Sequence, residues 1–293
     1  MRKNKLITLL AAPLLVLPGC SGKSSGALKI ATTFAPVYDY VKRIVKDSAE
    51  VITIVGDNEP HDFSPNDAKA AAFTEKCDAL FAYGHHMDEW AEKMNKDKYF
   101  DITGGVEFIK SGNEDDPHAW LSINNSKKMM KNILDKLVAV APEKIDEFTK
   151  NYEDAVKDFD AVDASYKEAL DASKLASNYI VTSHEAFAYI AKDYGLTQYG
   201  IGDIADHEPS SEDIVSTCNV IKEHNVRYIF LEELDEPGFV DTVIAELAKE
   251  NYTVNYEVIS AYEGVSEEDY ADGGTYLDAF NDNLEILKKC LGK

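Results

Sequence analysis

The sequence predicts an α/β protein of two lobes, each a mostly parallel sheet flanked by helices, joined by one long rigid helix. Three observations predict it. Strand-like and helix-like runs alternate from Ala27 to Val140, the alternation resumes at Tyr179, and between them lies an amphipathic run that no glycine or proline interrupts. Alternation of this kind builds parallel sheets, because a parallel neighbour is reached only by a crossover, usually a helix.

The chain opens with Arg2, Lys3 and Lys5, an apolar run from Leu6 to Leu17, and then Gly19-Cys20, the order of an export signal. The run is too short to cross a membrane as a helix. Leu17-Pro18-Gly19-Cys20 resembles the lipobox of bacterial lipoproteins, with Cys20 as the lipid-attachment residue and Pro18 standing where a small residue is usual. Taking the 19 signal residues from 293 leaves 274, enough for two lobes of ordinary size. They divide into a first lobe over 20–140, a connecting helix over 141–172 and a second lobe over 173–293.

In the first lobe, Ala27 to Thr33 reads as a buried strand and Val37 to Val45 as a helix with Val37, Val41 and Ile44 on one face. Val51 to Val55 is a second strand. A helix starts at Asn66-Asp67 and runs into Cys77, Ala79 to Tyr83 is a third strand, and helices follow over Asp88 to Asn95 and Ser126 to Val140. From Pro142, which suits a first helical position, apolar residues from Ile145 through Phe148, Tyr152 and Phe159 to Leu170 recur every three or four residues. A helix of about 30 residues would reach roughly 45 Å, long enough to hold two lobes at a nearly fixed separation. The second lobe reads as strand Tyr179 to Thr182, helix Glu185 to Tyr194, strand Gln198 to Ile201, helix Ser211 to His224 and strand Arg227 to Leu231. Helix Val240 to Lys249, strand Tyr252 to Val258 and a final helix from Thr275 to Leu291 complete it.

Acidic residues number 53 against 30 basic ones, and removing Arg2, Lys3 and Lys5 leaves 27. Nucleic acid and anionic lipid are poor partners for such a surface. The acids are scattered along helix-like segments and read as solvated faces. Cys77, Cys218 and Cys290 form no CxxC pair, which leaves a thiolate zinc site unsupported. They read either as buried free thiols or as one disulfide, with Cys218 and Cys290 the favoured pair.

Chemistry concentrates at three histidines. Glu59-Pro60-His61-Asp62-Phe63 follows the second strand, Asp116-Pro117-His118-Ala119-Trp120 repeats its acid-Pro-His pattern, and Ser183-His184-Glu185 follows the strand ending at Thr182. Neutral imidazoles from separate loops share a partner most naturally as ligands of a transition metal. Three histidines and a carboxylate fill a zinc tetrahedron, whereas manganese and calcium favour more oxygen. Glu263, in the loop after the last strand, is the selected fourth ligand, with Glu59 or water as alternatives. Asp62 and Asp116 can accept the second imidazole N–H and fix its tautomer, or simply cap their turns. His85-His86, in a loop after the third strand, could reach a metal but read more readily as solvent-exposed, His207 and His224 read as surface residues, and Glu185 as the acid at a helix N-terminus.

These motifs in order, Glu59 to Pro65, Asp116 to Leu121, Ser183 to Phe187 and the ending Tyr276 to Leu291, resemble the metal receptors of bacterial ABC importers for zinc and manganese. The resemblance covers essentially the whole mature chain. It implies two α/β lobes joined by one long helix, with His61 and His118 from the first lobe and His184 and Glu263 from the second holding the ion. It further implies a monomer, lipid-anchored through Cys20 to the outer face of the cell membrane, that captures Zn2+ and delivers it to a membrane permease. Manganese-type relatives commonly carry a carboxylate at the third position and an aspartate at the last, so His184 points to zinc. No histidine-rich loop precedes His118. A manganese or ferrous-iron receptor is the nearest alternative. A three-histidine zinc hydrolase is disfavoured, because Ala188 stands where HExxH needs its second histidine.

Overall fold

The structure, a computed structural model, describes residues 27–61, 63–201 and 210–292. The export signal with Cys20, and also Asp62 and His207, lie outside the described residues. The first lobe runs β1 (Leu28–Thr32), α1 (Ala35–Val45), β2 (Ala49–Thr53), α2 (Ala68–Thr74), β3 (Ala79–Ala82), α3 (Trp90–Met94) and β4 (Tyr99–Asp101). Its four strands are parallel in the order β2-β1-β3-β4. The inner strand β3 is buried along its whole length, which is why it reads as a continuous apolar run. A hairpin of β5 (Lys110–Ser111) and β6 (Glu114–Asp115) then leads to α4 (Ile123–Val140) and the long α5 (Ile145–Ala169).

The second lobe repeats the plan with β7 (Tyr179–Thr182), α6 (Ala188–Tyr194), β8 (Thr197–Gly200), α7 (Ser211–Glu223), β9 (Tyr228–Glu232), α8 (Gly238–Lys249) and β10 (Asn255–Ile259). These strands are parallel in the order β10-β9-β7-β8. A short α9 (Glu267–Ala271) and the terminal α10 (Tyr276–Leu291) close the chain, each opened by a capping box, Ser266 with Asp269 and Thr275 with Asp278.

The fold is the expected α/β arrangement of two lobes and one long helix, with local departures. Pro142–Lys144 form a 3-10 turn, so α5 has 25 residues and spans about 38 Å at the usual rise. β4 and the β5-β6 hairpin are additional. β4 is a three-residue edge strand, and the hairpin turns at Gly112 with φ 60, within what reads as a polar connection. The helix expected from Glu185 begins only at Ala188, so Glu185 sits in the turn before it rather than at its first position. The Cys218–Cys290 disulfide is not formed. All three described cysteines are free, with Cys218 in the outer core of the second lobe and Cys290 packed against the central one.

One apolar core runs through both lobes, joining Ile30, Val51 and Phe81 of the first sheet to Ile180, Phe230 and Ile259 of the second through Phe148, Phe159 and Tyr166 of α5. Smaller cores back each sheet on its far side. Polar bonds cross the same boundary. Trp120 Nε1 donates to Ala261 O at 2.8 Å, Ser122 Oγ to Asp193 Oδ2 at 2.6 Å, and Tyr166 OH to Phe280 O at 2.7 Å.

The most demanding of these contacts is a buried ion pair. Asp39 on α1 is fully buried, pairs with Arg43 one turn on, and accepts the Tyr276 N–H at the start of α10 at 3.1 Å. A carboxylate there also meets the positive end of the α10 dipole. Replacing Arg43 with Met keeps the stem and strands the charge, so chemical denaturation should show a loss of about 3–5 kcal/mol. A loss under about 1 kcal/mol, the size of a surface pair, would show that Asp39 is not held by Arg43.

Candidate metal centre

The parallel strands place their loops at one end of each sheet, and the two ends face each other. His61 follows β2, His184 lies two residues beyond β7, and Glu263 lies four residues beyond β10. His118 enters from the hairpin, just before the 3-10 turn Ala119–Leu121 that leads into α4. The carboxyl ends of parallel strands are where α/β folds usually hold ligands.

Each side chain is fixed from behind. Glu59 accepts the His61 backbone N–H with both oxygens, at 2.9 and 3.1 Å. Asp116 Oδ1 sits 2.9 Å from the His118 backbone N and 2.8 Å from its Nδ1, which sets Nδ1 as the protonated nitrogen and turns Nε2 inward. Tyr189, on α6 of the other lobe, clamps this segment by accepting Ile109 N–H at 2.9 Å and donating to Asp116 O at 2.8 Å. The His184 carbonyl accepts from Thr182 Oγ1 at 2.7 Å and from Gln198 Nε2 at 3.3 Å.

Glu263 is delivered by a tight approach of the lobes. Tyr262 before it adopts φ 57, Val265 N donates to Gly56 O at 2.9 Å, and a Cβ on Gly264 would stand 3.1 Å from the backbone oxygens of Asp57 and Asn58. Only glycine lets the two backbones meet so closely without one giving way.

The donor atoms converge. His118 Nε2 lies 3.3 Å from His61 Nε2, and Glu263 Oε1 lies 3.4 Å from His118 Nε2 and 3.6 Å from His61 Nε2. The His184 ring centroid is 4.9 Å from that of His118 and 5.5 Å from that of His61, and one nitrogen of each ring falls within a mutual 4.8 Å. A tetrahedron with metal bonds of 2.0–2.1 Å has edges of about 3.3–3.4 Å. The His61–His118 and His118–Glu263 spacings match those edges, and the His61–Glu263 spacing of 3.6 Å is slightly longer. Buried Glu263 Oε1 has no well-aligned hydrogen-bond partner among the described residues although two imidazole nitrogens are near, which leaves this oxygen suited to a cation.

The electrostatics fit a cation. Burial alone would lower the His118 pKa, but the Asp116 and Glu263 carboxylates outweigh it and raise it to about 9. Burial would raise Glu263, yet His118 and His61 hold its carboxyl well below the usual range. Without a metal, the site therefore keeps a proton on His118 against the Glu263 charge. A divalent ion at the common point would replace that proton.

The remaining candidates separate by position. Glu59 Oε1 stands 4.0 Å from His61 Nε2 and belongs to a second set of potential donors with His61 and Glu263. His224 stacks on Tyr179 at 3.5 Å and exposed His86 meets Glu89 at 2.7 Å, outside the cluster. Sequence reasoning missed Glu232. It is buried behind Glu263, accepts Leu234 N–H at 3.0 Å, and lies 3.4 Å from Ala261 N, bracing the loop that carries Glu263. Burial, and then the Glu263 charge, push its carboxyl well above its usual pKa. A glutamate closing the apolar run Tyr228–Glu232 was the available signal.

Residues 30–290 match the family described as zinc-uptake complex component A, periplasmic. The chain is 32% identical to the zinc-binding lipoprotein AdcA of Streptococcus pneumoniae over 97% of its length, and it spans 61% of that relative. It is 28% identical to the high-affinity zinc uptake system protein ZnuA of Bacillus subtilis, covering 97% of this chain and 96% of that one. Among solved structures, it superposes on the Zn(II)-bound ZnuA-like domain of Streptococcus pneumoniae AdcA with a TM-score of 0.75 at 30% identity, covering 92% and 100% of the two chains.

The hydrogen bond from Asp116 sets a measurable expectation for the metal-free protein. The His118 imidazole should titrate near pH 9 by NMR, and Asp116→Asn should lower that midpoint by about 1–3 pH units. An unchanged midpoint would mean that Asp116 does not hold the ring.

Proposed function

The chain belongs to the family of periplasmic zinc-uptake complex component A, and from that premise we propose that it captures a zinc ion between its lobes with His61, His118, His184 and Glu263. It then hands the ion to the permease of an ABC-type importer. The observation that carries this reading is the spacing of His61 Nε2, His118 Nε2 and Glu263 Oε1 at 3.3, 3.4 and 3.6 Å, close to the edges of a zinc tetrahedron. Three nitrogens and one oxygen favour zinc over manganese, whose sites take more oxygen. The family consists of transport components, not enzymes, and a shell closed by four side chains leaves no vertex for the reactive water of a hydrolase.

Among the described residues no helix is long and apolar enough to cross a membrane. The receptor works outside the cytoplasm, held to the membrane by a lipid on Cys20, and acts as a monomer; Gly19-Cys20 after an apolar run and the lipoprotein name of AdcA support the anchoring. Residues 20–140 and 173–293 form the two lobes and 141–172 the connection, in keeping with two separate parallel sheets on either side of α5.

Competition with a chromogenic chelator tests the ligand set. His118→Ala should weaken zinc binding by more than the roughly 10–100-fold that loss of an outer-shell partner costs, whereas His224→Ala should leave it unchanged. Equal effects would refute the assignment. Manganese displacing zinc at comparable concentration would refute the choice of ion.

Zinc must also displace the His118 proton. Since that proton is bound below about pH 9 in the metal-free site, apparent zinc affinity should rise about tenfold per pH unit up to pH 9, level off above it, and fall on acidification. Affinity that stays flat from pH 5 to pH 8 would contradict a shell containing His118.

A further inference from the structure

Next to the cluster lies a cavity of about 530 Å3 whose lining includes His61, His85, Lys110, Glu114 and Asp115. His85 is held deliberately. It follows Gly84 in the loop after β3, in left-handed backbone with φ 47, and its ring stacks on Phe108 with centroids 3.4 Å apart and planes 8° from parallel. Asp88 pins the loop by accepting Tyr83 N–H at 2.7 Å and Gly84 N–H at 2.6 Å. His85 Nε2 lies 3.3 Å from Asp115 Oδ2, yet this buried nitrogen has no hydrogen-bond partner among the described residues. A nitrogen and a carboxylate oxygen at the length of a tetrahedral edge, not bonded to each other, repeat in miniature the geometry of the inner cluster.

We propose that His85 and Asp115 form an outer, weaker position for the same divalent cation, completed by water, from which the ion passes along the cavity to His61. This rests on the zinc-receptor reading and adds a route of entry to it. Burial lowers the His85 pKa against the pull of Asp115, so the ring is neutral at physiological pH and can act as a ligand. Lys110 Nζ stands 2.5 Å from the other Asp115 oxygen. Its charge opposes the cation and keeps the outer position weak enough to give up its ion.

The test is zinc chloride titrated past one equivalent into the full chain carrying 15N-labelled histidine, with the His85 signal identified by its loss in His85→Asn. The first equivalent should shift the inner histidines. Further zinc should then move the His85 Nε2 resonance with an affinity weaker by roughly 100-fold or more, as two protein ligands replace four. Asp115→Asn should remove that second shift and spare the first. Lys110→Gln should strengthen the second by about thirtyfold, the effect in water of one unit charge on a divalent ion roughly 4 Å away. A His85 resonance unmoved up to about 1 mM zinc, the weakest useful affinity, would overturn the proposal, as would a second shift that persists in Asp115→Asn. Failure of the inner rings to respond to the first equivalent would instead overturn the receptor reading, and His85 is read separately.

Discussion

Three buried ligand atoms held about 3.3–3.6 Å apart, His61 Nε2, His118 Nε2 and Glu263 Oε1, are the condition on which the rest of this molecule depends. In an interior of low effective dielectric such an arrangement is costly unless positive charge enters it. The protein supplies a provisional charge as the His118 proton and holds the rings against collapse with Asp116, Glu59 and the Trp120 bond to Ala261. The frame resists relaxation because each donor belongs to a different loop, and each loop is anchored to the end of a buried strand or to a helix start. Affinity in such a site comes from ordering completed during folding, before the ion arrives.

Much of this arrangement was legible in the chain itself. The two parallel sheets follow from alternating periodicities, and the histidine segments stand out because two follow apolar strand runs and the third repeats the acid-Pro-His pattern of the first. What escaped was short or depended on distant partners. β4 spans three residues and takes its identity from β3 beside it, while the β5-β6 hairpin is too brief and polar to leave a periodic trace. Glu185 looks like a helix-opening acid, but the chain completes a turn around His184 before α6 can start. Cys218 and Cys290 share one half of the sequence and still belong to different cores, which linear proximity cannot reveal.

Glu263 shows the same limit from the other side. Nothing in Ser260–Val265 distinguishes its carboxylate from dozens of other acids. The distinguishing feature is Gly264, whose missing side chain admits Asp57 and Asn58, and whose neighbour Val265 bonds back to Gly56. Glu232 gains its importance only because the strand that carries it ends beneath that loop. Residues of this kind become visible once the partner backbone is known.

The apolar core that threads both sheets through Phe148, Phe159 and Tyr166 has a consequence for how the molecule exists at all. A severed half would expose the flank of α5 and the inner faces of α1 and α10 to water, so neither half is an autonomous folding unit. The receptor should melt as one cooperative entity, and exchanging one lobe for another at α5 would break the core they share. Changes in metal preference must accumulate within the loops, on a chassis inherited whole.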